Sequence, residues 1–249
     1  MAITEIYKFP TVKQVIFQVR FPNLFYIESK MGDFQLEIMK EFPHSQLLVR
    51  RDFVISGVSE QNPEDENLES GHKIWQFSSD KNFKLNVHAD SIDITSEHHK
   101  TYDIEGVDKF RDAISFVIDA FLKFVKVPVF TRVGLRYVDQ CPLPKKTKTS
   151  LDKYFNSTFP SHRFDLKETQ GFVFNTVTKK GKYFIRYHEE LKKNKEKYSL
   201  ILDFDSFSGS VDSASYLKVT DELHKIVSDE FKNSIKSPFE KYMKTGKIL

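Results

Sequence analysis

The chain has 249 residues, a formal net charge of +3 and a single cysteine. One cysteine excludes an intrachain disulfide and a zinc site built from several cysteines, and it favours a reducing compartment such as the cytoplasm. Hydrophobic residues make up 39% of the chain and aromatic residues 14%, with 24 phenylalanines, so a large aromatic core is expected. Residues 1–10 lack the apolar run of a signal peptide, and no stretch is long enough to span a bilayer, so no membrane association is expected.

Runs in which apolar and polar residues alternate predict the strands of the first half of the chain. These strands lie at 13–21, 46–55, 73–78, 82–88 and 91–96. A helix that follows Ser29 and Asp33 is predicted between the first two strands and ends near Pro43. The polar segment 60–71, which contains Pro63, is predicted to be a loop.

The segment from Gly106 to Asp139 predicts a long amphipathic helix, a break at a proline and then a strand. Apolar residues recur every three or four positions from Val107 to Val125, which places them on one helix face. Pro128 cannot continue the helix because it has no backbone N–H. In the strand 130–138, the apolar Val133, Leu135 and Tyr137 share one face, and the two arginines share the other face with Gly134.

The second half of the chain follows a similar order of elements. After a connection at 141–149 and a short helix at 151–155, strands are predicted at 171–178, 182–188 and 198–205. The charged segment 189–197 is predicted to connect the last two strands, and helices are predicted at 213–231 and from Ser237 onwards.

These elements predict an α+β fold with mostly antiparallel strands covered on one side by the helices at 106–126 and 213–231. We expect residues 1–249 to form a single unit. The alternative is two fused subdomains of similar build, at about 1–140 and 141–249.

Charge is distributed unevenly along the chain. Residues 1–127 carry a net charge of −5, and residues 128–249 carry +8. Lysines cluster at 145–148, 179–182 and 192–197. Such clusters are typical of a nucleic-acid-binding surface, but they lie at predicted turns, which favours solvated loop tips.

The sequence Arg-Val-Gly-Leu-Arg-Tyr at 132–137 is the most distinctive part of a pattern that runs along almost the whole chain. Its other parts lie at 10–21, 73–77, 102–110, 223–231 and 239–243. Together they resemble a sporadically distributed, uncharacterised prokaryotic protein family of about this length, with a Gly-Leu-Arg-Tyr strand motif. The resemblance hints at a mobile or defence-related gene cluster, such as phage defence or toxin–antitoxin systems, and it assigns no catalytic residues.

Six charged residues of three predicted strands form the candidate ligand site. They are Arg132, Arg136, Arg186, His188, Asp203 and Asp205. If the three strands belong to one sheet, alternation puts these side chains on its open face, where the arginines could grip a carboxylate or phosphate. The alternative, which we favour, is a ladder of cross-strand salt bridges.

The remaining motifs favour a non-catalytic protein over an enzyme. The chain has no phosphate-binding glycine loop, no metal-ligand spacing and no activated nucleophile, so neither a cofactor nor a metal is expected. The first hypothesis is therefore an interaction protein with a protein partner or a second copy of itself. The alternative is a nucleic-acid-binding or phosphodiester-processing protein that uses the basic C-terminal half.

Overall fold

The computed structural model of the protein describes residues 6–50, 72–195 and 197–247. Within these ranges the chain has an α+β fold built on a nine-stranded antiparallel sheet. The strands of the sheet are β1 (Val12–Arg20), β2 (His44–Arg50), β3 (His72–Ser79), β4 (Phe83–Val87), β5 (Ser91–Ser96), β7 (Arg132–Leu143), β8 (Val173–Lys180), β9 (Tyr183–Asn194) and β10 (Lys197–Ser208). The short strands β6 (Val129–Phe130) and β11 (Val211–Asp212) pair with each other. The helices are α1 (Met31–Ile38), α2 (Phe110–Phe124), α3 (Lys148–Tyr154), α4 (Tyr216–Ser234) and α5 (Ser237–Thr245).

The order of strands across the sheet is β2-β3-β4-β5-β1-β7-β10-β9-β8. In the described part of the first half, β1 is followed by α1 and then by β2, β3, β4 and β5, and β5 pairs with β1. In the second half, β7 is followed by α3 and then by three strands, of which the last, β10, returns to pair with β7. The first strands of the two halves, β1 and β7, pair with each other at the centre.

The core lies on the face of the sheet that carries Val133 and Leu135, called here the apolar face. Both residues are fully buried, as are Val15 and Phe17 of the neighbouring β1. Helix α4 packs against β7 and β10, while α2 contacts α1 and α4. Phe121 of α2 stacks on Phe21, with ring centroids 5.6 Å apart. Each fully buried side chain of this size stabilises the fold by about 2 kcal/mol.

The helix predicted at 106–126 is wrong in its first turn, since the observed helix α2 begins only at Phe110. Gly106 has a φ of +83°, in the left-handed region that a helix cannot accommodate, and Lys109 makes a β-bridge to Thr101. Val107, predicted to be in the core, is therefore 40% exposed.

Two predicted connections are instead parts of strands. β7 continues to Leu143 and β9 to Asn194, so residues 141–143 and 189–194 of the two predicted connections are paired with β10. The end of β9 was predicted to be a connection because it is rich in lysines. The side chains of these lysines are exposed to solvent, while their backbone pairs with β10. The predicted loop 60–71 and the end of the predicted strand 46–55 lie outside the described residues.

None of the helices within 6–50, 72–195 and 197–247 has the length and apolar character needed to cross a bilayer.

Candidate functional site

All six residues predicted for the site lie on one face of the neighbouring strands β7, β10 and β9, opposite the apolar face. We call it the charged face. In the register of these strands, Asp205 lies opposite Arg136 on one side and Arg186 on the other. His188 lies opposite Asp203. The alternation of the strands thus brings the arginines and carboxylates within reach of each other.

Arg132 and Asp205 form the most buried ion pair of the charged face. Nη2 of Arg132 donates to both carboxylate oxygens of Asp205, at 2.8 and 2.9 Å, and Nη1 donates to Gln18 at 2.9 Å. The guanidinium also lies 4.9 Å from the ring centroid of Phe207. Chiefly through burial, the pKa of Arg132 is lowered from its ordinary value, and Asp205 opposes this shift.

Gly134 is required for this position of Arg132. A Cβ atom at residue 134 would lie only 2.2 Å from Nη1 of Arg132, so any other residue would displace the guanidinium. The glycine of the Gly-Leu-Arg-Tyr sequence therefore has a structural reason, which is the close approach of a side chain to the backbone.

Arg136 and Asp203 form the second pair. Nε and Nη2 of Arg136 donate to the two oxygens of Asp203 at 2.7 and 2.5 Å, a two-pronged geometry that matches guanidinium to carboxylate. The hydrogen bonds to Asp203 raise the pKa of Arg136 above its ordinary value. The Asp203 side chain is only 10% exposed, whereas that of Arg136 is 44% exposed.

Arg186 and His188 are bound less closely to this cluster. Nη1 of Arg186 lies 3.7 Å from Asp205, a distance at which charges attract without a hydrogen bond. His188 uses Nδ1 with Asn175 at 2.8 Å and Nε2 with Glu190 at 3.4 Å. Both ring nitrogens of His188 are therefore directed to residues other than the two aspartates, and Arg186 remains 58% exposed.

The paired charges belong to a longer polar row that crosses the sheet. Gln18 links Arg132 to Asp93 on β5, and Asn86 on β4 lies opposite Asp93 in register. Further along, Gln76 joins Asn86 and Gln46. In both arginine–aspartate pairs the two charges neutralise each other, so the polar row serves to hold the strands together.

A small cavity of about 240 Å³ beside Arg132 and Arg186 lies on the charged face.

A larger cavity, of about 650 Å³, lies on the apolar face and was not predicted from the sequence. It is bounded by the N-terminal segment 6–12, the loop 100–105, β7 and α4. Its lining includes Tyr137 and Asp139 of β7, and His224 of α4. We call it the β7–α4 cavity.

Asp139 is the buried acid of the β7–α4 cavity. It is 3% exposed and accepts a hydrogen bond from Oγ1 of Thr11 at 2.7 Å. Burial raises the pKa of the Asp139 carboxyl to about 7, because the charged form loses its hydration, and the Thr11 hydrogen bond only partly opposes this.

Two hydroxyl groups of the same cavity are buried without a hydrogen-bond partner in the described part of the chain. They are Oη of Tyr137 and Oγ1 of Thr101. A buried hydroxyl that makes no hydrogen bond costs free energy, so most such groups in proteins are satisfied.

His224 forms the other wall of the cavity. Its ring stacks on Tyr102, with centroids 4.2 Å apart, and Nε2 lies 3.1 Å from Oγ of Ser228. Burial lowers the pKa of His224 to about 4, so the ring is neutral at physiological pH. Tyr102 in turn donates to Asp221 at 2.7 Å, and Arg111 grips the same carboxylate.

One signal in the sequence could have revealed the cavity. Val133, Leu135 and Tyr137 alternate on the buried face, and the same phase continues through Asp139 to the buried Cys141. A carboxylate in phase with core residues indicates a buried polar site. The groups that surround it come from distant segments, so the cavity itself could not be read from spacing.

No group of three or more His, Cys, Asp or Glu residues that could hold a metal ion occurs within 6–50, 72–195 and 197–247.

The buried carboxyl gives a prediction about stability and pH. Because the folded-state pKa of Asp139 is above the unfolded value, the neutral form stabilises the fold below about pH 4, and this stability is lost as the pH rises to about 7. An asparagine in its place would stay neutral and keep the Thr11 hydrogen bond. We expect Asp139→Asn to match the wild type near pH 4 and to be more stable by roughly 4 kcal/mol at pH 8.

Urea unfolding of both proteins between pH 4 and 8 measures this difference. Histidines whose pKa is lowered, such as His224, destabilise both proteins alike at low pH and cancel from the comparison. An advantage of Asp139→Asn that stays constant across the range would contradict the assignment.

Comparisons of the chain with protein-family models, with curated proteins and with solved structures found no match. The family resemblance of the short segments, including the Gly-Leu-Arg-Tyr motif, therefore stays a prediction.

Proposed function

We propose that the protein is a non-catalytic interaction module that binds an extended segment of a partner protein along the edge strand β8. The observation that carries this proposal is the state of that edge. β8 pairs with β9 in unbroken register from Val173 to Lys180, and its other side has no paired strand among the described residues. An unpaired strand edge can add a strand from another chain.

The side chains of β8 also suit a partner. Val173 is 58% exposed, Val177 is 52% exposed and Phe174 is 37% exposed. Natural edge strands are protected by prolines, bulges or charged side chains, especially lysines. Val173–Lys180 contains no proline and no register shift, and its two lysines lie at the C-terminal end of the strand. On the neighbouring strands, Phe184 stacks on Phe207 with centroids 5.5 Å apart, which extends the apolar surface.

The charged face supports binding rather than chemistry. Its two buried carboxylates are bound by arginines, so β10 and β7, on which the edge pair of β8 and β9 is built, are held in place before a partner binds. A rigid edge lowers the entropy cost of association.

We also infer that the two halves repeat one unit, with α2 and α4 covering the apolar face and the charged face open. Each half consists of a strand, a helix, a meander of antiparallel strands and a long helix, in that order. In each half the last strand of the meander pairs with the strand that begins the half, which is β1 in the first half and β7 in the second. The family resemblance directs the search for the partner to the products of neighbouring genes, such as those of a defence cluster.

The edge can be tested by placing a charge on it. We expect Val177→Lys to leave the free energy of unfolding within about 0.5 kcal/mol, because the side chain is exposed. The same change should abolish capture of the partner in pull-downs from the native host. Leu36→Lys on α1 is the matched control, since Leu36 is 69% exposed and lies away from the edge.

Hydrogen exchange on the complex identifies the binding surface. The proposal predicts that the β8 amides are protected from exchange in the complex. It also predicts that the Val177→Lys variant does not bind the partner and that the Leu36→Lys variant does. Equal capture by both variants, or protection elsewhere, would refute it. If the purified protein dimerises through β8 and Val177→Lys makes it monomeric, the partner is a second copy of the chain.

A specific observation favours nucleic-acid binding as the second candidate. Two of the three lysine clusters lie at the same end of the sheet. Tyr198 of β10 pairs with Leu143, which directly precedes the cluster at 145–148, and with Lys193, which belongs to the cluster at 192–197. The lysines of this basic end are Lys145, Lys146, Lys148, Lys192, Lys193, Lys195 and Lys197. Nζ of Lys146 and of Lys193 lie 5.5 and 5.9 Å from the Tyr198 ring. A half-exposed aromatic among cations suits stacking of an unpaired base.

The third lysine cluster provides the matched control for the basic end. It lies at the opposite end of β9, about 40 Å away for a strand of this length. For about four phosphate contacts, the affinity for a single-stranded oligonucleotide should fall with salt at a log–log slope of roughly −3. Lys192→Glu with Lys193→Glu should weaken this binding strongly, and Lys179→Glu with Lys182→Glu only slightly. Fluorescence anisotropy distinguishes the outcomes, and salt-independent binding would exclude this candidate.

A further inference from the structure

The β7–α4 cavity contains polar groups that the fold leaves incompletely paired. Oη of Tyr137 and Oγ1 of Thr101 have no partner among the described residues. The carboxyl of Asp139 accepts a hydrogen bond from Thr11 on Oδ1, and within 6–50, 72–195 and 197–247 no side chain or backbone group donates to Oδ2. Tyr137 and Asp139 are two residues apart on β7, so their side chains emerge on the same face.

Asp139 differs from three other acids that are held on or beside the sheet, and it also differs from the buried Glu189, whose carboxylate accepts hydrogen bonds from Ser157 and Thr158 on both oxygens. Asp203, Asp205 and Asp221 are each gripped by an arginine at hydrogen-bond distance. Within the described ranges, Asp139 has no lysine or arginine within ion-pair distance. The nearby Lys100 uses its Nζ on the backbone carbonyls of Val12 and Glu97, at 3.1 and 2.6 Å.

Three of the four carboxylates in the wall of the cavity already have a cation partner, because Arg111 binds Asp221 and Lys109 pairs with Asp103 and Glu105. Four carboxylates and two lysines contribute to its wall. The carboxylates belong to Asp103, Glu105, Asp139 and Asp221, and the lysines are Lys100 and Lys225. His224 adds no positive charge at physiological pH. Asp139 is thus the carboxylate of this wall that has no cation partner among the described residues, and it is the group to which a cationic ligand would be attracted.

Most of the other lining residues are apolar or aromatic. Val227 and Phe231 of α4 and Met243 of α5 are buried against the cavity, with exposures of 3%, 6% and 1%. A volume of about 650 Å³ lies in the range of small-molecule sites, which are mostly apolar with a few polar groups.

We propose that the β7–α4 cavity binds a small organic cation, in which a primary ammonium group is carried on an apolar or aromatic body. A primary ammonium has three N–H donors. Oδ2 of Asp139, Oη of Tyr137 and Oγ1 of Thr101 provide three acceptors. Ion pairing would supply the countercharge that Asp139 lacks, and the apolar body would pack against the α4 side chains. This site is separate from the β8 edge, so it does not depend on the proposed partner binding.

Binding of a cation couples to the ionisation of Asp139. The groups that act on its carboxyl are Thr11 and Lys100, which favour the charged form, and Asp203 of β10, which opposes it. From α4, His224 faces the cavity as a neutral ring. Because the pKa of Asp139 is about 7, affinity for an ammonium ligand should increase about tenfold per pH unit up to that value and level off above it.

Isothermal titration of the full chain with 2-phenylethylamine and tryptamine tests the proposal, with 2-phenylethanol as the neutral counterpart. Such amines stay protonated between pH 5 and 8, as a lysine side chain does. We expect at least one amine to bind at pH 8 with a Kd of about 1 mM or tighter, which is reasonable for a fragment. The alcohol should bind at least tenfold more weakly.

Three variants locate the binding. Asp139→Asn should abolish amine binding while remaining folded, and Tyr137→Phe should weaken it about threefold to tenfold by removing one acceptor. Asp152→Asn, an acid outside the cavity, should bind the amine as the wild type does. Thermal unfolding of each variant confirms that it is folded.

Four results would overturn the proposal. They are equal binding of the alcohol and the amine, retained amine binding by folded Asp139→Asn, an affinity that does not change between pH 5 and 7, and no binding of either amine at about 10 mM.

Discussion

The antiparallel pairing of β1 with β7 at the centre of the sheet is the interaction on which the rest of the structure depends. It aligns Phe17 with Leu135 and Val19 with Val133, and all four side chains are fully buried. Each half of the chain contributes one of these strands, and each half closes its own meander on that strand. The central pair therefore joins two sets of strands into one sheet and gives them a common core.

β7 also explains why the two faces of the sheet carry different chemistry. Its even-numbered residues include Arg132, Gly134 and Arg136, and the arginine charges are met by aspartates of β10. Removing one partner of the buried Arg132–Asp205 pair costs roughly 3–5 kcal/mol, whereas replacing both by apolar residues can be neutral. The cost is smaller for Arg136–Asp203, because Arg136 is 44% exposed and solvent screens its charge. The pairs are thus better evidence for fixed strand positions than for overall stability.

The odd-numbered residues of β7 share the apolar face, and along the strand their side chains change from hydrocarbon to polar. Leu135 is fully buried in the core, Tyr137 brings a hydroxyl without a partner among the described residues, and Asp139 brings a carboxyl without a cation there. Unpaired polar groups are costly in a core, and such costs are accepted where function needs them. This is the physical basis for assigning the cavity, rather than the charged face, to a small ligand.

Local patterns in the sequence predicted much of the fold. The apolar spacing of α2 from Phe110 onwards and the alternation of β1 and β7 depend on neighbouring residues, so they could be recognised. The extension of β9 through Lys192 and Lys193 could not, because only the pairing with β10 makes that charged segment a strand. Similarly, spacing predicted the shared face of Arg136 and Asp203 and favoured a ladder of salt bridges there, but it did not predict which arginine would pair with which aspartate.

The β7–α4 cavity lay beyond prediction for a related reason. Its polar groups, from Thr101, Tyr137 and His224, are far apart in the chain and meet only after β7 and α4 pack together. No local pattern records the distance between such segments. Asp139 was the one residue whose phase on β7 indicated the site.

Native-state hydrogen exchange of the β1, β7 and β10 amides tests most directly whether the central pair unites the two halves. The account predicts that the most protected amides of all three strands exchange with the same free energy, equal to that of global unfolding. It would be contradicted if the β10 amides exchanged through a separate opening of lower free energy while those of β1 stayed protected.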